Sequence, residues 1–194
     1  METKESAAAW SVINPCVQRV QNQSIYLRSN ANVDFFNKFE GTPLDNASFY
    51  YRTLDGDFSL SARVVVEARS TYDAVFLMAR TSNSQWLKLA LERNADGSNS
   101  IVSVFSNPWS DDANGELLLG ETAYLRISRV GNLWGLHYSL DGERWRFVRT
   151  LGFVPQGELY VGYGVQSPLG EGFDGEVHDL QVSEQPQTDF RNGL

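Results

Sequence analysis

The chain has 194 residues, a formal net charge of -8 and a pI of about 4.7, and a surface of that sign repels phosphate backbones, so nucleic acid is not an expected partner. Hydrophobic residues make up 42% and charged residues 21% of a chain long enough to bury a core without disulfide or metal staples. Cys16 is the single cysteine, and no stretch approaches the ~20 apolar residues of a membrane helix, so the expectation is a cytoplasmic protein with no membrane partner.

In chain order, alternation with period two recurs and helical periodicity is nearly absent. The first 20 or so residues are polar and irregular, although Trp10, Val12 and Ile13 offer apolar surface for an edge strand. Strands are expected at 25–28 and 49–53. Over 57–67, Phe58, Leu60, Ala62, Val64 and Val66 fall on one face, with Ser59, Ser61 and Arg63 on the other. The strand at 73–80 puts Tyr72, Ala74, Phe76, Met78 and Arg80 on a common face, whereas Asp73 falls with Val75 and Leu77 and is expected to be buried and hydrogen-bonded. The strand at 86–92 turns Leu87, Leu89 and Leu91 inward and Trp86, Lys88, Ala90 and Glu92 outward. Strands follow at 100–105, at 124–128 with Arg126 and Ser128 outward, and at 133–139, 145–149, 158–166 and 175–182. Turn signals lie at 94–97, Asn114-Gly115, Gly131-Asn132 and Asp141-Gly142, where Gly supplies the positive φ of tight hairpins. The tail from Gln185 is again polar and irregular. Many short strands joined by such turns predict one all-β domain, with a sandwich core over about 20–184.

Several segments also recur together in a known order. They are Tyr72-Asp73, Leu77-Met78, Trp86-x-Lys88-x-x-x-Glu92, Trp109-Ser110, Leu125-Arg126-x-x-Arg129, Ser139-x-Asp141-Gly142-x-x-Trp145 and Ser167-Pro168. This set resembles a family of concanavalin A-like sandwiches that includes a yeast protein named for regulation of enolase and many bacterial relatives. The resemblance runs from about Asp34 to Val182. It implies a jelly roll of two antiparallel sheets and no particular activity. The chain departs from the family pattern around one patch, with Ala74, Phe76, Ala90 and Gln166 at positions where the family carries other residues. Phe76 replaces a glycine and is large enough to fill a groove.

The candidate site is a sugar-binding face built from Tyr72, Trp86, Lys88, Glu92, Trp109, Arg126 and Gln166. Apolar sugar faces stack on aromatic rings, while charged and amide groups take the hydroxyls. The competing reading is structural: Lys88, Glu92 and Arg126 form a cross-strand ion-pair network, and Trp86 covers the sheet. Glycoside hydrolysis needs two carboxyl groups about 5–10 Å apart, and only Glu92 is well placed. His137 and His178 neighbour no nucleophile elbow, and two histidines with one cysteine give no zinc signature. The oxygen-rich stretch from Asp111 to Glu116 reads as a solvated hairpin turn rather than a calcium loop. No cofactor or metal is expected. Three functions stay open: a non-catalytic carbohydrate or polyol binder, a protein-interaction or regulatory module, and a weak hydrolase using Glu92.

Overall fold

The computed structural model describes residues 10–194. Its strands are β1 (Ser11–Ile13), β2 (Val17–Gln21), β3 (Ser24–Arg28), β4 (Phe35–Phe36), β5 (Leu44–Asp45), β6 (Ser48–Thr53), β7 (Phe58–Glu67), β8 (Ala74–Arg80), β9 (Trp86–Arg93), β10 (Asn99–Ser106), β11 (Ser110–Leu118), β12 (Thr122–Val130), β13 (Leu133–Ser139), β14 (Arg146–Gly152), β15 (Tyr160–Gln166) and β16 (Asp174–Ser183). The front sheet runs β1-β6-β15-β8-β9-β10-β11 and the back sheet β14-β13-β12-β7-β16-β3-β2. Pairing is antiparallel throughout, and the two sheets pack as an all-β jelly-roll sandwich. No helix among the described residues is long and apolar enough to cross a membrane.

The principal core lies between the sheets. Leu60, Ala62 and Val64 of β7 and Leu125 and Ile127 of β12 meet Val75 and Leu77 of β8 and Leu87, Leu89 and Leu91 of β9, all essentially inaccessible. These are the inward sets that alternation assigns. β1 docks as an edge strand on β6, with Val12 opposite Tyr50. Two glycines of β15 allow close packing: a Cβ on Gly162 would meet the Tyr50 carbonyl, and one on Gly164 would meet the Phe76 ring at 2.5 Å.

Three features differ from expectation. Asn114-Gly115 makes no turn but lies inside β11, whose pairing with β10 is interrupted by a bulge between Ser100 and Val102. The stretch from Asp111 to Glu116 is therefore an exposed edge strand, its polarity serving solvation rather than a hairpin turn. Second, the short hairpin β4–β5, too brief to show alternation, folds over the outer face of the front sheet. Third, the C-terminal tail is irregular as expected, yet packed. Phe190 is 7% exposed and lies on Gly135, where a Cβ would come within 2.7 Å of the ring.

Candidate functional site

The outer face of the front sheet carries a second apolar cluster. Ala74, Phe76 and Met78 of β8, Trp86 and Ala90 of β9, Val102 and Val104 of β10 and Phe49 of β6 gather beneath Phe35 of the β4–β5 hairpin. Phe35 is fully buried and meets Phe76 and Phe49 edge-on, with ring centroids 6.0 and 6.5 Å away. The middle of this face is thus filled by the chain itself.

Polar contacts fix the hairpin at several points. Lys88 Nζ donates to the Phe35 carbonyl at 3.0 Å and to Gln166 Oε1 at 2.6 Å, and it lies 3.6 Å from Asp34 Oδ1. Arg80 forks Asp45 through two hydrogen bonds of 2.5 and 3.0 Å. The buried Asn37 amide donates to the Asn83 and Pro108 carbonyls and to Ser106 Oγ, while its backbone N–H donates to Ser110 Oγ. At the other root, Val33 and Ser167 exchange backbone hydrogen bonds, and Ser167 Oγ donates to Asp73 Oδ1 at 2.6 Å. Asp73 is buried and also accepts from the Arg69 and Ser70 amides, as its place among inward residues predicts. The motifs Tyr72-Asp73, Trp109-Ser110 and Ser167-Pro168 therefore each help to seat this hairpin.

One end of the face stays open. A cavity of about 360 Å³ lies between the hairpin and the sheet, with Lys88, Glu92, Gln166, Asp112 and Asn114 on its polar side and Tyr72, Phe36, Leu44 and Leu169 around its apolar margin. That volume is at the small end of the ~300–1,000 Å³ of ligand pockets. Asp34 Oδ1 is buried there and accepts no hydrogen bond, its compensation being the Lys88 charge. Glu92 is 9% exposed. Burial pushes its pKa up to about 7, with Lys88 opposing the shift and the charges of Asp34 and Asp112 adding to it. Gln166 Nε2 approaches Glu92 Oε2 at 3.4 Å, which leaves the carboxyl weakly held. The pocket therefore presents a strong donor, several acceptors and a carboxyl near its titration point beside an apolar margin.

The structure brings together four of the seven candidate residues, Tyr72, Lys88, Glu92 and Gln166. Tyr72 stands on the rim, 44% exposed, in a left-handed conformation with φ 69. Trp86 shares the outward face of β9 as alternation requires, but the hairpin covers it. It is 1% exposed, and its Nε1 donates to the Asn83 carbonyl, so no ring face is left for stacking. Trp109 lies outside the cavity on the β10–β11 connection, 46% exposed and edge-on to Phe39 at 5.4 Å. Arg126 belongs to the back sheet and points to its opposite outer face, so the ion-pair network of Lys88, Glu92 and Arg126 does not form. Alternation gives the side of a strand on which a residue lies but not the sheet to which the strand belongs.

Residues 10–185 match the family model described as a protein of unknown function, DUF1349. The chain belongs to the DUF1349 family. No curated protein matches it. A functionally unknown protein from Saccharomyces cerevisiae has a similar structure, with TM-score 0.83 and 22% identity over 90% of this chain and 96% of that one. A GH43 protein from Bacillus licheniformis aligns with TM-score 0.68 and 11% identity over 84% of this chain but 33% of its own, so this chain spans about a third of that protein's length. An alginate lyase from Klebsiella pneumoniae aligns with TM-score 0.57 and 12% identity over 86% of this chain and 83% of that one. Likeness at these identities shows the sandwich fold alone.

Sequence reasoning missed Asp34, Asp112 and Asn114 of this pocket. Asp34 precedes a two-residue strand, and Asp112 and Asn114 sit in a stretch whose Asn-Gly pair reads as a turn. Once β11 is paired with β10, Asp112 lies opposite Val104, and Asn114 lies opposite Val102. Their place beside Lys88 and Ala90 follows from the register of β10 with β9.

Proposed function

We infer that the front pocket binds a neutral polyhydroxylated ligand, a carbohydrate or polyol, without turning it over. The observation that carries this reading is the pairing of a fixed polar floor with an apolar margin. Lys88 is fixed by the Phe35 carbonyl of the hairpin, holds Gln166 and lies beside Asp34, while Tyr72 and Leu169 stand exposed beside them. A sugar has the same two-sided character, with hydroxyls at its edge and C–H groups on its face. Asp34, Glu92 and Asp112 outnumber Lys88 and Lys38 along the lining, which favours neutral ligands over anions. The sandwich recurs in proteins named as a xylan beta-1,4-xylosidase and an alginate lyase, which supports a polysaccharide context.

Saturation-transfer NMR against a panel of neutral sugars and polyols tests this reading. Tyr72→Asn removes the rim ring while suiting the positive φ. A signal from at least one panel member that falls at least fivefold in Tyr72→Asn is the expected result. Silence across the panel, or a signal indifferent to this variant, refutes the pocket.

One observation favours a second reading, a weak glycoside hydrolase. Burial pushes the Glu92 pKa up to about 7, the range of a general acid, and Asp112 lines the same pocket. Hydrolysis of nitrophenyl glycosides that drops at least 100-fold in Glu92→Gln establishes it. No turnover, or turnover unchanged in the variant, removes it.

A further inference from the structure

The outer face of the back sheet holds a separate cavity of about 300 Å³. Its floor is a cross-strand row in which Arg126 of β12 lies opposite Ser61 of β7 and Ser61 opposite Gln181 of β16. These side chains point away from the core filled by Leu125, Ile127, Leu60 and Ala62. Tyr124, Trp145 and Asp179 complete the walls together with the C-terminal tail.

Arg126 is 5% exposed. A guanidinium carries five N–H donors. Here Nη2 donates to the Gly193 carbonyl at 2.8 Å, while Nε is buried with no hydrogen-bond partner. Among the described residues no carboxylate lies within ion-pair distance of it. The Trp145 ring, 4.1 Å from Cζ, holds the fork in place. Burial lowers the pKa to about 10, so the group remains a cation at neutral pH. A buried, oriented cation with unused donors is an incomplete ion pair, and leaving such a charge uncompensated is costly.

We propose that this cavity is a second ligand site, in which Arg126 pairs with the carboxylate of a sugar-sized hydroxy acid such as a uronate, and Ser61, Gln181 and Tyr124 take its hydroxyls. The planar fork matches a carboxylate in two parallel hydrogen bonds. Asp179 on the wall, 3.7 Å from Arg63, and the net charge of -8 disfavour a doubly charged phosphate and select a monoanion. The site is independent of the front pocket, which lies on the other sheet.

The test is calorimetric titration of the whole chain with galacturonate and with galactose at one ionic strength. Galacturonate is expected to bind at least tenfold more tightly than galactose, and Arg126→Gln to abolish that preference. Arg126 also anchors the tail, so Ser61→Leu is the companion variant; it fills the cavity, leaves the guanidinium in place, and is expected to weaken galacturonate at least tenfold. Circular dichroism confirms that each variant is folded. Equal binding of the two sugars, no binding of galacturonate, or full binding in folded Ser61→Leu overturns the proposal. The front pocket is read on Tyr72→Asn and neutral sugars, so each site fails or stands by its own variant.

Discussion

Both sheets have their outer faces covered by a segment of the same chain, and the two covers differ in kind. The front cover is the β4–β5 hairpin, which drives Phe35 into a cluster with Phe49, Phe76, Met78 and Trp86. The back cover is the C-terminal tail, which contributes one buried ring, Phe190, and otherwise polar contacts: Gln187 Oε1 accepts from Ser59 and Ser128, the Gly193 carbonyl accepts from Arg126, and the Arg191 guanidinium lies 4.5 Å over the Phe147 ring. The front cover extends the hydrophobic core, and only its polar end is left for a ligand. The back cover rests on a polar face and leaves a charged group without a counterion. Apolar burial scales with area, so a face that gains a second core has less surface left for recognition.

The sharpest way to break this comparison is to remove the ring at the centre of each cover. Phe35→Ala takes a fully buried ring out of a cluster enclosed on all sides and is expected to destabilise the whole domain by about 3–5 kcal/mol, read from urea unfolding. The same substitution at Phe190 is expected to cost less, about 2 kcal/mol, because the tail that carries this buried ring is held otherwise by polar contacts and can relax into the space left. Its effect is local: amide exchange should rise at 187–194 while the amides of β7 and β12 stay protected. Equal losses for the two variants would contradict the distinction between the covers.

Intermediate in size, and separating the two regions by pH, is the titration of Glu92 and His137. Glu92 moves from 4.5 to about 7 on folding. The folded state therefore binds its proton more tightly; no cost arises below pH 4.5, and the full cost, up to about 3 kcal/mol, is present above pH 7. Glu92→Gln is expected to stabilise the chain by up to that amount at pH 8 and by nothing at pH 4. His137 has the opposite sign. It is fully buried and donates from Nε2 to the Phe190 carbonyl at 2.6 Å. Burial lowers its pKa, the hydrogen bond to Phe190 opposing the shift and the nearby Arg126 charge adding to it, so its contribution to stability falls as pH drops below 6.5. Acidification should thus loosen the tail of the back sheet while relieving the front pocket. Amide exchange at pH 5 and pH 8 reads both, and parallel changes in the two regions would refute the assignment.

The smallest expected effect is at Trp109. Its ring is 46% exposed and meets Phe39, itself 73% exposed. Trp109→Ala should change stability by no more than about 0.5 kcal/mol, as substitutions at exposed positions commonly do. A larger loss would mean that this aromatic pair belongs to the front cover rather than to the surface.

Much of this molecule is determined by sequence alone. Side chains of a strand alternate, so the inward sets of β7, β8 and β9, the buried carboxylate of Asp73 and the outward faces carrying Lys88, Glu92 and Arg126 follow from residue order. Turn chemistry likewise fixes the hairpin at Asp141-Gly142, where Ser139 and Asp141 accept from the turn amides. Only the tertiary structure decided which outward faces meet. It placed Arg126 on the back sheet, buried Trp86 in the cluster that Phe35 joins, and brought Asp34, Asp112 and Asn114 to Lys88. The physical reason is that alternation is a property of one strand, whereas the order of strands in a sheet and the segment that covers it depend on contacts far apart in sequence. Lys88 and Gln166 stand 78 residues apart, and Arg126 and Gly193 stand 67 apart.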